Sequence, residues 1–112
     1  DARSKTIGQN FRVRAWSYYN QNTDTVGASG NISSISDDST GKFTVNFIKP
    51  MTDTNYAVLT FCNDAVDDQY PNIRVFFNFN KSVSSLACAT GYPDGDEIGV
   101  LQDEFTNIAI IR

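Results

Sequence analysis

Apolar and polar residues alternate in several short windows of this chain, the pattern of β-strands whose two faces meet different surroundings. Phe43, Val45 and Phe47 fall on one side while Thr44 and Asn46 fall on the other, which predicts a half-buried strand. Ala57, Leu59 and Phe61 oppose Tyr56, Val58 and Thr60, and this run predicts a strand covered on both faces. Between positions 73 and 79, Ile73, Val75, Phe77 and Phe79 oppose Arg74, Phe76 and Asn78. Phe11 to Tyr19 reads as one long strand with Arg12, Arg14, Trp16 and Tyr18 sharing a face. Shorter strands are predicted at Ile32 to Ser36 and at Val83 to Ala89. The closing Ile108-Ala109-Ile110-Ile111 is apolar on both sides and predicts a central strand.

Turn signals separate these windows at the spacing of a sandwich or barrel. Asp37-Asp38-Ser39-Thr40-Gly41 predicts a hairpin loop whose glycine takes the left-handed conformation, and Gly30 is assigned to a turn as well. Asn80-Lys81 or Lys81-Ser82 turns the next hairpin. Asn63 to Asn72 and Gly91 to Glu97 are acidic, contain Pro71 and Pro93, and are predicted to be exposed loops. Composition agrees. Val, Ile and Thr make up 27 of the 112 residues whereas Leu and Glu make up 5, so the chain favours the pleated surface of a sheet over a helix. The expected fold is all-β: one antiparallel sandwich or barrel of seven or eight strands over residues 1–112, with 1–10 an extended arm or a junction to a longer chain.

Charge and rare residues narrow the chemistry. Histidine is absent, which excludes Ser-His and Cys-His catalytic pairs, His-ligated zinc and a His pH switch. Two cysteines cannot form a four-thiolate site; Cys62 and Cys88 both fall in predicted strands, either paired across the sandwich or standing as two buried thiols. A net charge of −4 argues against a general nucleic-acid face. The charge is uneven, because residues 1–14 hold Arg3, Lys5, Arg12 and Arg14 against Asp1 alone. Such asymmetry either helps neighbouring subunits attract one another or is incidental. No apolar run is long enough for a transmembrane helix, so membrane insertion is not expected.

The acidic loops offer the remaining candidates. Asp64, Asp67 and Asp68 share one loop, and Asp94, Asp96 and Glu97 the other. Asp94-Gly95-Asp96 has the oxygen ligands of a calcium site but not the ligand run of an EF-hand, and solvated turns are the simpler reading. A carboxylate pair is also the equipment of glycoside hydrolysis, whose outcome depends on a separation that sequence does not give. No catalytic residue, metal ligand or cofactor is assigned. Tyr70 and Tyr92, each followed by proline in a polar loop, pair an aromatic face with nearby carboxylates, so either Tyr70, Tyr92, Asp94 and Asp96 are candidate residues for carbohydrate or protein contact or the tyrosines pin their loops to the sheet.

One stretch is more specific. Arg14-Ala15-Trp16, then Ala28-Ser29-Gly30-Asn31-Ile32-Ser33-Ser34-Ile35, then Thr40-Gly41-Lys42-Phe43-Thr44-Val45-Asn46-Phe47, then Met51 with Asp53 and Asn55-Tyr56-Ala57-Val58, resembles a domain recurrent in bacteriophage and prophage tail-fibre proteins. Ser17, Tyr18 and Tyr19 depart from its usual Val-Asn-Phe, Thr52 from a proline, and Phe43 from a tyrosine. Beyond residue 58 the likeness is confined to Asn107 to Ile111. The resemblance implies a non-catalytic virion structural protein: a tail-fibre domain taking part in host-receptor attachment, assembled as a homotrimer and contacting other virion proteins and a host surface glycan or protein. The alternatives are a capsid decoration protein on the capsid surface and a carbohydrate-degrading tail enzyme. In this reading residues 14–58 are scaffold, and Asn31 and Asn46 bond across strands.

Overall fold

Phe43, Val45 and Phe47 are buried and the residues between them are not, so the alternation read at 43–47 is the inner and outer face of a strand. The same logic runs through a computed structural model that describes residues 12–64, 75–94 and 97–112. The expected arm 1–10 and the candidates Tyr70 and Asp96 lie outside the described residues. Nine strands are described: β1 (Val13–Asn20), β2 (Thr25–Gly30), β3 (Ile32–Ser39), β4 (Lys42–Phe47), β5 (Ala57–Asp64), β6 (Val75–Lys81), β7 (Ser85–Asp94), β8 (Glu97–Leu101) and β9 (Glu104–Ile111). They form two antiparallel sheets, one ordered β2-β1-β9-β5 and one ordered β3-β4-β7-β6 with β8 also paired to β7. The all-β antiparallel expectation holds, as a sandwich of nine strands rather than seven or eight.

The two added strands have local reasons. β2 is Thr-Val-Gly-Ala-Ser-Gly, whose small residues show no alternation, because rings from β1 cover it: the Tyr18 ring lies over Gly27 and the Trp16 indole over Gly30. Gly30 therefore ends a strand, and the left-handed residue of the following turn is Asn31 (φ 58°). β8 arises because Gly91 to Asp94 continues β7 and pairs with 97–101, so the segment read as an exposed loop is largely hairpin. β7 correspondingly begins at Ser85 and runs well past Ala89. Gly41 sits where β4 and β8 meet along β7. Its φ is 70°, its carbonyl accepts from the Thr90 amide at 2.7 Å, and a Cβ there would lie 2.6 Å from the Thr90 oxygen. Only glycine fits.

Side chains from both sheets fill the interior: Ala15 and Tyr19 from β1, Phe43, Val45 and Phe47 from β4, Leu86 and Cys88 from β7, Ile108 and Ile110 from β9, with Met51 and Tyr56 closing one end. Tyr19 packs on Phe43 with ring centres 5.1 Å apart, and Phe47 meets Tyr56 edge-on at 6.1 Å. Each such ring or aliphatic group contributes about 1.5–3 kcal/mol by leaving water. The phenols keep polar partners, Tyr19 donating to Asp24 at 2.9 Å and Tyr56 to the Ser82 carbonyl at 3.0 Å. Burial raises the pKa of both. Cys62 and Cys88 are thiols in different sheets, and burial pushes Cys88 up to about 12. β9 is central, as expected, whereas β5 is an edge strand with one face open: Leu59 is 55% and Phe61 67% exposed. Apolar residues on both sides of β5 do not signal two covered faces.

Candidate functional site

Of the four receptor-binding candidates, two can be placed. Tyr92 is a half-buried strand residue opposite Val100, not a loop tyrosine. Asp94 ends β7 opposite Glu97, with the pairing register shifting between Tyr92 and Asp94. Tyr92 and Gly91 before it are therefore held by the ladder with β8, and the expected loop surface is a hairpin arm that extends β7 beyond β4.

A larger unassigned surface lies on the outer face of the four-stranded sheet. Register places Gly30, Trp16, Ala109 and Leu59 side by side in one row, and Ala28, Tyr18, Asn107 and Phe61 in the next. Trp16 and Tyr18 are each 44% exposed, and with Leu59 and Phe61 they flank the short residues Ala109 and Asn107. The result is an open groove of about 450 Å³ over β9. Tyr18 is stacked on Phe105 at 5.4 Å, which stiffens one wall. Alternation alone puts Trp16 and Tyr18 on one face with Arg12 and Arg14; it does not reveal that Leu59 and Phe61 share it, since that depends on β9 lying between β1 and β5.

The strand directions also sort charge. Arg12, Arg14 and Arg112 gather where β1 begins and β9 ends, next to Lys49 after β4 and Lys81 at the end of β6. Asp53 is the one carboxylate at this basic end among the described residues. It holds the Arg112 guanidinium at 2.8 and 3.0 Å, and those bonds, with the Asn55 amide, bring its pKa down to about 2. Arg14, Asn31, Lys49 and Arg112 line a cleft of about 330 Å³ there. Asn31 bridges it, donating to the Arg14 carbonyl at 2.9 Å and the Lys49 carbonyl at 3.1 Å while accepting from the Lys49 amide at 2.7 Å. At the opposite end lie Asp24, Asp37, Asp38, Asp103 and the buried Glu104, with Lys42 the one cation among the described residues. Gln21 laces this acidic end together by donating to Asp37, the Ser39 carbonyl and the Lys42 carbonyl at 2.9–3.1 Å.

The outer face of the other sheet is different where it is described. Thr44 donates to Asp38 at 2.6 Å, and Asn46 donates to Ser34 and Ser36 at 3.1 and 3.3 Å, so polar side chains satisfy one another there. Among the described residues no group of three or more metal-ligating side chains comes together. The arrangement can therefore offer stacking and apolar contact on one face and ionic contact at two ends. No protein-family model, curated protein or solved structure matches the chain.

Proposed function

We propose that this chain is a structural domain of a bacteriophage tail fibre, non-catalytic, that assembles with copies of itself and with other virion proteins and takes part in attachment to a host surface glycan or protein. The observation that carries the reading is the aromatic and aliphatic outer face of the four-stranded sheet, a surface suited to being covered by protein. The residues behind the tail-fibre resemblance support it, since each has a place in the scaffold. Ala15 and Phe43 lie in the core, Trp16 covers Gly30, Asn31 and Asn46 make cross-strand bonds, and Tyr56 packs against Phe47. Attachment is assigned to the β7–β8 hairpin, whose first strand carries Tyr92 and Asp94. Antibodies raised against the domain and imaged on virions that carry it test the reading: label on the tail is expected, and label spread over the capsid overturns it in favour of a decoration protein.

A further inference from the structure

We infer that the cleft between the start of β1, the end of β9 and the segment after β4 binds an oxyanion carried by a sugar, a carboxylate or a phosphate on a monosaccharide unit. The inference goes beyond the function proposed above: the cleft lies at the basic end, away from the β7–β8 hairpin, and needs no place in a virion. Among the described residues that line it, Arg14, Lys49 and Arg112 carry positive charge and none carries a carboxylate. The whole chain stands at −4, so three cations around one concavity are a local reversal of its charge.

The donors and the frame that holds them are in place. Arg14 uses Nε alone, on the Arg112 main-chain oxygen at 2.9 Å, which leaves both terminal nitrogens of its guanidinium as a fork for an oxyanion. Arg112 gives Nε and one terminal nitrogen to Asp53, so its charge is balanced while its other terminal nitrogen remains a donor. The Lys49 ammonium has no partner among the described residues. Asn31 sets the spacing. Its amide nitrogen reaches the carbonyls of Arg14 and Lys49 at 2.9 and 3.1 Å, and its oxygen takes the Lys49 amide at 2.7 Å. An anion therefore meets two cations whose main chains are tied through one side chain, which lowers the ordering that binding requires.

Size and lining favour a sugar as the carrier. The cleft holds about 330 Å³, at the small end of the ~300–1,000 Å³ of ligand sites. A free oxyanion fills a small part of that space, whereas a monosaccharide fills most of it. Val13, Pro50 and Met51 add apolar surface against which the CH groups of a sugar ring can lie.

Amide-resonance titrations of the isotope-labelled chain with glucuronate, glucose phosphate, inorganic phosphate and glucose test this. Saturable shifts at Asn31, Lys49 and Thr52 are expected with glucuronate or with glucose phosphate, and the one that saturates at lower concentration names the anion. Lys49→Gln, which keeps the main-chain bonds of residue 49, should weaken binding about tenfold with an unchanged melt, and Arg14→Gln by a similar factor. Added salt should weaken it too. No saturable shift with either acidic sugar, an equal response to glucose, or inorganic phosphate binding as tightly as both would each overturn the inference. So would a short aspartate peptide binding more tightly than either sugar, or affinity unmoved by Lys49→Gln and Arg14→Gln together. None of these results bears on the virion label, so the two proposals fail separately.

Discussion

The outer faces of the two sheets were made by the same folding problem and solve it differently. On β3 and β4 the outward residues are Ser, Thr, Asn and Asp, and they bond to one another: Asn46 to Ser34 and Ser36, Thr44 to Asp38. That surface is complete in water. On β1 and β5 the outward residues include Trp16, Tyr18, Leu59 and Phe61, which find cover in part from glycines of β2 and otherwise stand open. Period-2 alternation, with one apolar and one polar face, describes β4 and its neighbour β3; β1 and β5 carry apolar residues on both sides. Here apolar residues on both sides of a strand leave one apolar face open.

If this distinction is right, the interior stabilises the monomer and the open face does not. Phe43→Ala should lower unfolding free energy by about 3–5 kcal/mol, because it empties a ring site in contact with Tyr19, while Leu59→Ala should cost less than ~1 kcal/mol in dilute solution. Urea titrations of the two variants check this, and a reversed order would break the comparison. Gly41→Ala comes next: a left-handed backbone and the Thr90 carbonyl against the new Cβ should cost about 2 kcal/mol or more, read as a fall in melting temperature.

Asn46→Ala sharpens the polar side. It should cost about 1 kcal/mol of stability, because Ser34 and Ser36 lose their shared donor, and a thermal melt reads the loss. The smallest effect is expected at Asp53, which is solvent-facing and screened. Its carboxyl is held well below the ordinary range, at about 2, by the bonds from Arg112 and Asn55. A depressed acid stabilises the fold above its unfolded pKa, and that contribution disappears as pH falls through the folded value. Wild type should thus lose a small increment between about pH 4 and pH 2 that Asp53→Asn lacks, and salt should shrink the difference.

The strands with clean alternation are legible from sequence, as are Gly41 and the central position of Ile108 to Ile111. β2 is not, because its small residues record the rings of β1 lying on them rather than a period of their own. β8 is not, because Pro93 and the acids around it carry the marks of a loop although the residues there pair in a ladder with β7. Tyr92 reads as a loop residue for the same reason. The open face is half legible: alternation puts Trp16 and Tyr18 on one side, but their meeting with Leu59 and Phe61 requires β9 to come between two strands about forty residues apart. Pairing partners distant in sequence leave no local mark.

The order of strands β2-β1-β9-β5 has a consequence for biosynthesis. β1 and β5 do not touch each other as neighbours; both pair with β9, whose last residue is Ile111. A ribosome adding ~5–20 residues per second needs roughly 5–20 s to travel from the end of β1 to the end of β9. Through that interval the β1–β2 hairpin and, once made, β5 are pieces without their common partner, with the inward Ala15 and Tyr19 uncovered and strand edges unpaired. The four-stranded sheet closes in one late event of high contact order, so folding should be slow for a domain of this size and most exposed to misassembly just before its final strand emerges.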